Sequence, residues 1–213
     1  MDKEQTQLIP VATTRTTSLI DPQAESLPYP AADPALLEVL LQPRLALFWG
    51  AHTPTRTLLA AATTLAARGQ ELRIFDGGNR FDGYFVARLA RRLSTDPQTT
   101  LKHIRLSRAF TCFQMAELIE NTPTDLQPLF VLDLLATFYD ESVPLRDTER
   151  LLVTTIAHLK RLAATGPVIV GAREPQSLVK DRWILLDRLQ TAADATWLLR
   201  APEEIGPLQP SLF

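Results

Sequence analysis

The residues best able to do chemistry lie in one turn, between an apolar run and a helical pattern. Residues 45–49 are apolar, Gly50 ends the run, and an Ala/Leu-rich helical pattern begins at about Arg56. Backbone N–H groups in such a turn, beside the positive end of a helix dipole, can hold a phosphate. Arg56 and the Thr57 hydroxyl stand where they could contact the same anion. The stretch therefore predicts the scaffold of a phosphate site.

The turn matches half of the P-loop pattern G-x-x-x-x-G-K-[ST]. Gly50 stands at the first glycine and Thr57 at the hydroxyl, but Thr55 stands at the second glycine and Arg56 at the lysine. A β-branched Thr resists the backbone angles that a glycine allows. A planar guanidinium is not equivalent to a compact ammonium. Taken alone, the match fits either a phosphate cradle or an ordinary strand–turn–helix.

Composition bounds the class of protein. The chain has 213 residues, of which 46% are hydrophobic, and a formal net charge of -2. This length suits one α/β domain. A net charge so close to zero does not indicate a protein that binds nucleic acid through an overall positive charge. With Cys112 as its single cysteine, the chain can form neither a disulfide framework nor a cysteine metal cluster. No apolar run approaches membrane-spanning length, so we expect a cytoplasmic protein with no membrane partner.

Short strands alternate with helices of ten to twenty residues, which is typical of a parallel sheet with crossover helices. The continuous apolar run at 129–135 indicates a sheet covered on both faces. Two late strands are predicted at 183–186 and 196–199, antiparallel because only short connections separate them. The other predicted strands are residues 45–49, 72–76, 104–106 and 168–170, and the main predicted helices are 56–67, 82–93, 112–121 and 146–164.

The chain divides into a flexible N-terminal tail at 1–35, an α/β core at 36–203 and a C-terminal tail at 204–213. The N-terminal tail is rich in Thr, Pro, Ser and Gln, which is typical of disordered segments. It is either a flexible leader or an arm that docks on a neighbouring subunit through an apolar pair such as Leu8 and Ile9. Ligands of parallel sheets bind beyond the carboxyl ends of the strands. The segments expected to gather there are 50–57, 76–79, 133–137 and 171–174.

Five segments, in order, resemble the core ATPase domain of the RecA/RadA recombinase superfamily and its KaiC-like relatives. They are residues 74–81, residues 104–111 with their Arg-Ala-Phe, the Walker B-like strand 129–133, the strand 168–173 and the terminal strand 193–200. The resemblance covers about residues 44–200. It implies a three-layer RecA-like P-loop NTPase fold of the α/β class. Together with the late strands, this predicts a mostly parallel central sheet with antiparallel C-terminal strands.

The resemblance also implies a vestigial nucleotide or anion site, made of Gly50, Thr55, Arg56, Thr57 and Asp133. Its cofactor would be ATP with Mg²⁺, with Thr57 as a metal-bound hydroxyl and Asp133 as its outer-sphere partner. The residues alone leave two alternatives open. Asp133 could instead accept a hydrogen bond from a helix N-terminus or from Thr57, and Arg56 could either grip an anion or form an ion pair with Asp133.

The departures from the family pattern fall on hydrolysis. The family's catalytic glutamate would stand at Gly78, which has no side chain to orient water. The sensor glutamine position is held by Ala172 or Arg173. Phosphoryl transfer depends almost wholly on positioning and charge stabilisation, so losing the glutamate and replacing the P-loop lysine should each cost orders of magnitude in rate. No catalytic residue is therefore predicted.

The family binds DNA through two loops, and this chain carries weak versions of both. The first loop, at 138–144, is acidic, and acid repels phosphate. The second loop carries three basic residues, Arg173, Lys180 and Arg182, which are the candidate nucleic-acid contacts.

Three functional hypotheses follow. The first is a non-catalytic RecA/RadA-like paralogue that serves as a binding or assembly module in DNA recombination or repair, as a homo-oligomer or with a RecA-like partner. The second is a slow ATPase in which Arg56 replaces the P-loop lysine. The third is a KaiC-like regulatory adaptor without DNA contact.

Overall fold

Seven strands form the central sheet of the computed structural model, which describes residues 7–10, 34–51, 54–176 and 180–200. The strands are β1 (Gln7–Pro10), β2 (Leu45–Gly50), β3 (Leu72–Asp76), β4 (Ile104–Arg108), β5 (Leu129–Leu132), β6 (Val168–Arg173) and β7 (Ala195–Arg200). Their order across the sheet is β1-β7-β2-β6-β5-β3-β4. Strands β2 to β7 run parallel, and β1 pairs antiparallel with β7. The prediction of a mainly parallel sheet is confirmed.

Helices cover both faces of this sheet. They are α1 (Pro34–Leu40), α2 (Thr55–Ala67), α3 (Gly83–Leu93), α4 (Pro97–Lys102), α5 (Cys112–Glu120), α6 (Leu145–Ala163) and α7 (Trp183–Ala192), with short 3-10 turns at Leu134–Ala136 and Lys180–Arg182. In the part of the chain that the structure describes, no helix combines the length and the apolar character that a membrane crossing requires.

Alternation along the buried strands builds one apolar core on each face, because successive strand residues point to opposite sides. Leu47 and Val170 pack beneath α5, α6 and α7. Phe48 and Ile169 pack on the other face, beneath α1, α2 and α3. The result is an α/β fold of three layers in which the carboxyl ends of six parallel strands share one edge.

The predicted antiparallel C-terminal strands are wrong. The segment predicted as a strand at 183–186 begins α7, and β7 runs parallel to β2, with Phe48 opposite Trp197. Leu185, Leu186 and Leu189 are buried together on one side of α7, which is the spacing of a helical stripe rather than of a strand. Four apolar residues in a row do not distinguish the two, and the helix supplies the crossover that a parallel β7 needs.

Helix caps fix where the chain turns away from the sheet edge. The Asp82 carboxylate accepts a hydrogen bond from the Phe85 N–H at 2.9 Å, and α3 begins there. The Thr111 hydroxyl accepts one from the Gln114 N–H at 3.2 Å at the start of α5. Both caps satisfy N–H groups that have no partner within the helix.

Strand β1 lies inside the predicted N-terminal tail. It pairs with the chain's own β7, with Leu8 opposite Leu199 and Ile9 opposite Leu198. Most of the predicted tails, at 1–35 and 204–213, lie outside the described residues.

Candidate functional site

The carboxyl edge of β4, β3, β5 and β6 gathers two acids and three arginines around one pocket. Because these four strands are neighbours in the sheet, the residues that end them lie side by side. The pocket measures about 300 Å³ and is bounded by the ends of β3, β4 and β6 and by the segment after β5. Its lining residues are Asp76, Gly77, Gly78, Asn79, Arg108, Ala109, Phe110, Ala136, Thr137, Asp140 and Arg173.

Asp76 anchors the turn that follows β3. Its carboxylate is buried and accepts hydrogen bonds from the N–H groups of Arg80, at 2.8 Å, and Phe81, at 3.1 Å. Asn79 adopts a left-handed conformation, with φ of 52°, so that the chain can fold back over the acid. Arg108, from the neighbouring strand β4, places Nε 3.5 Å from Asp76 Oδ2. Two amides and a guanidinium together stabilise a buried charge that would otherwise be costly.

Asp133 is the second buried acid, and two arginines converge on it. Its side chain is 0% exposed, and the Nε atoms of Arg80 and Arg173 each lie 3.6 Å from Oδ2. The residue itself is left-handed, with φ of 51°, a conformation that Asp tolerates better than most residues. The basic groups found beside this carboxylate are those of Arg80 and Arg173, whereas an ion pair with Arg56 is one of the two alternatives that the sequence leaves open for that arginine.

Gly78 shows why a catalytic glutamate has no place here. A Cβ atom at this position would lie 2.8 Å from Asp133 Oδ2 and 3.0 Å from Asp133 Cβ. These distances are shorter than carbon can approach without a shift of the neighbouring residue. A side chain at the position where the resemblance places the water-orienting glutamate would therefore compete for space with the Asp133 carboxylate, which forms ion pairs with two arginines.

The turn between β2 and α2 has the predicted strand–turn–helix form. Gly50 ends β2, α2 begins at Thr55, and the Gly50 carbonyl accepts a hydrogen bond from the Glu174 N–H at 2.8 Å. A Cβ on Gly50 would lie 2.2 Å from the Leu199 carbonyl oxygen. Close packing against β7 thus explains this glycine without any phosphate. His52 and Thr53, in the turn itself, lie outside the described residues.

The three P-loop-like residues at the start of α2 differ in their surroundings. Arg56 is exposed, and its guanidinium carbon lies 5.9 Å from the centroid of the Phe85 ring on α3. Thr57 is half-buried. The Thr55 Oγ1 is buried and has no hydrogen-bond partner among the described residues.

These residues do not fit ATP with Mg²⁺. The Asp133 carboxylate, which would hold a metal-bound water, has two guanidinium groups at 3.6 Å, and such cations repel a divalent cation. The Arg56 side chain, which would replace the lysine, is directed at an aromatic ring.

Two of the predicted nucleic-acid residues are held by other parts of the chain. Arg173 pairs with Asp133, and its carbonyl accepts a hydrogen bond from the Tyr139 hydroxyl at 2.9 Å. Arg182 is only 4% exposed and donates to the carbonyls of Phe138 and Val143, both at 2.7 Å. A phosphate could reach Arg182 only by displacing the loop that it holds. The side chain of Lys180 lies outside the described residues.

Titration behaviour around the pocket follows from burial and hydrogen bonding. Burial raises the pKa of the Tyr139 phenol, so this group stays protonated at neutral pH. A hydrogen bond from the Ser142 backbone N–H lowers the pKa of Asp140, which therefore stays ionised at the pocket rim. Burial also raises the pKa of the Cys112 thiol, which makes it a poor nucleophile.

Arg80 and Arg108 are the site residues that the sequence reasoning missed. Arg80 lies four residues after Asp76, which ends β3, and Arg108 is the last residue of β4. The signal was present, since positions after parallel strands line the ligand edge. Comparison with protein-family models and with curated proteins finds no match for this chain. The likeness to RecA and RadA proteins thus rests on the motifs quoted above.

Proposed function

We propose that this chain is a non-hydrolytic RecA/RadA-like module, which binds a partner or assembles with copies of itself in DNA recombination or repair. The observation that carries the non-hydrolytic part is the contact between Gly78 and Asp133. A side chain at Gly78 would have to displace the Asp133 carboxylate, which would lie 2.8 Å from its Cβ, and that carboxylate is engaged by Arg80 and Arg173. The link to recombination or repair is supported by the five motif segments alone.

Phosphoryl transfer requires a group that orients water, a cation on the transferred phosphate and a metal. Around the turn, Arg56 lies over Phe85. Around Asp133, the guanidinium groups of Arg80 and Arg173 lie 3.6 Å from the carboxylate and would repel a divalent cation there. Restoring hydrolysis would need several coordinated changes, which supports a binding role for the present sequence.

The hydrolytic prediction is tested by a steady-state assay of phosphate release from ATP with Mg²⁺. We expect no turnover above that of a buffer blank, and no heat when ATP and Mg²⁺ are titrated into the protein. Turnover that disappears in Asp133→Asn, an isosteric change, would contradict the proposal. Arg88→Gln, an exposed change on α3, controls for general loss of a surface charge.

A regulatory adaptor without DNA contact is the second candidate. It is favoured by the burial of Arg182 and the pairing of Arg173. Fluorescence anisotropy with a single-stranded oligonucleotide separates the two roles. Binding that weakens steeply with salt would support the recombination role, because it reports phosphate contacts. Absence of binding at low salt would favour the adaptor.

A further inference from the structure

The pocket at the ends of β3, β4 and β6 is lined by two arginines, Arg108 and Arg173, and by two acids, Asp76 and Asp140. Arg80, Arg108 and Arg173 face two buried carboxylates, those of Asp76 and Asp133. Each arginine approaches its carboxylate through Nε. A guanidinium has further N–H donors on its terminal nitrogens, arranged as a fork that suits phosphate.

Two of these arginines line the pocket and keep their terminal nitrogens available. Within the described residues, Arg108 makes its ion pair with Asp76, and Arg173 makes its pair with Asp133. Their side chains are 42% and 26% exposed, so both are partly open to a ligand. The Nε atom of Arg173 is buried and has no hydrogen-bond acceptor in the described part of the chain.

An aromatic ring completes the pocket. Phe110 lines it and is 73% exposed, two residues after Arg108. Its backbone is fixed, because the Phe110 N–H donates to Gln114 Oε1 at 2.8 Å. An exposed ring that is held beside the two arginines of the pocket offers a flat surface on which an aromatic base can stack. The Asp140 carboxylate at the rim can accept a hydrogen bond from a sugar hydroxyl or an exocyclic amine.

We propose that this pocket binds a small phosphorylated ligand of the nucleoside monophosphate class. The phosphate lies on the terminal nitrogens of Arg108 and Arg173, and the base stacks on Phe110. The volume of about 300 Å³ falls at the lower end of the range for small-molecule sites. None of the described residues of the β2–α2 turn lines this pocket, and ligand binding here does not depend on whether the chain assembles with a partner.

Calorimetry with AMP, inorganic phosphate and adenosine tests the proposal on the full-length chain. The parent protein should bind AMP more tightly than either fragment. Arg108→Gln should weaken AMP and phosphate by at least about tenfold, the effect of a lost charged hydrogen bond. Phe110→Ala should weaken AMP by about fivefold or more through lost stacking, and leave phosphate unchanged.

Matched variants keep the result interpretable. Arg105→Gln removes an exposed charge from β4, the strand that also carries Arg108. Phe113→Ala removes an exposed ring three residues after Phe110. Neither residue lines the pocket. Both should bind AMP like the parent, as should Arg56→Gln at the β2–α2 turn. The variants' melting temperatures show that each has folded.

Three outcomes would overturn the proposal. The first is no heat from AMP at millimolar concentration, and the second is equal binding by the parent and Arg108→Gln. The third is loss of binding in Arg56→Gln, which would move the ligand to the turn. Phe110→Ala, at an exposed site, keeps the test valid if Arg108→Gln does not fold.

Discussion

The β2–α2 turn and the arginine pocket stand at the same edge of the sheet, yet they use their residues in opposite ways. At the turn, the residues that resemble a phosphate cradle are used for packing: Gly50 makes room for the β7 backbone, and Arg56 covers Phe85. At the pocket, residues outside any phosphate motif bring three guanidinium groups together. A match to a motif position therefore does not by itself place a phosphate at the turn, and the arginine pocket is the alternative anion site that we propose.

The largest loss of stability is expected at Gly50, where the turn packs closely against β7. Gly50→Ala would place a Cβ 2.2 Å from the Leu199 carbonyl oxygen, and a backbone atom cannot move aside cheaply. We expect a loss of about 3 kcal/mol or more in the free energy of unfolding, at the upper end for overpacking. Urea denaturation measures it.

Gly69→Ala is the matched control for this change. Gly69 has φ of +88° but nothing within 4 Å of its Cβ position, so only backbone strain applies, at about 1 kcal/mol. If Gly50→Ala costs no more than Gly69→Ala, the close approach of β7 is not what requires a glycine at the turn.

The second largest loss of stability is expected at Gly78 in the pocket. Gly78→Ala forces its new methyl group against Asp133 and should cost about 1–3 kcal/mol. Asp133→Gly removes two of the three contacted atoms and leaves Arg80 Cγ at 3.0 Å, and glycine accepts the left-handed backbone at position 133. The double variant should therefore lose less stability than the sum of the single variants, which a double-mutant cycle by denaturation measures.

Gly83→Ala is the control, since its Cβ would meet only Phe81 Cε1 at 3.7 Å. Strict additivity of Gly78→Ala and Asp133→Gly would mean that the two residues do not compete for the same space, and would remove the argument against a side chain at position 78.

The sequence predicted the scaffold well and the site in part. The apolar runs at β2, β3, β5 and β6 were long enough to be recognised as buried strands, and the acids that end β3 and β5 were placed at the ligand edge. Segment 183–186 failed because four apolar residues fit a helix or a strand. The pairing of Asp133 with Arg80 and Arg173 could not be predicted, since it depends on strand order, which brings β3, β5 and β6 together.

The third largest loss of stability is expected from an ion pair at the opposite edge of the sheet from the turn and the pocket. Both terminal nitrogens of Arg73 donate to Asp125, at 2.8 and 2.6 Å, and this hydrogen bonding lowers the pKa of Asp125. A folded-state pKa below the unfolded value of about 3.9 means that the pair stabilises the protein above that pH. Its contribution is lost as the pH falls through the folded-state value.

Asp125→Asn should therefore cost about 0.5–1 kcal/mol at neutral pH, a modest figure because the Asp125 side chain is 35% exposed. The difference from the parent should shrink as the pH falls below about 4, as followed by thermal unfolding at a series of pH values. A difference that stays constant down to that range would mean that shape, rather than charge, carries the contribution.

The smallest loss of stability is expected for substitutions of Arg56 at the turn. These variants test whether Arg56 packs on Phe85 or binds a ligand. An exposed guanidinium 5.9 Å from the Phe85 ring centroid contributes about 0.5 kcal/mol as a cation–π contact. Arg56→Gln should lose that amount, Arg56→Lys should retain most of it, and Arg88→Gln should be neutral, all by urea denaturation. Because a cation over a ring needs no anion, phosphate in the buffer should stabilise the parent and Arg56→Gln equally. Stabilisation of the parent alone would place an anion at the turn, and the contrast between the two regions would fail there.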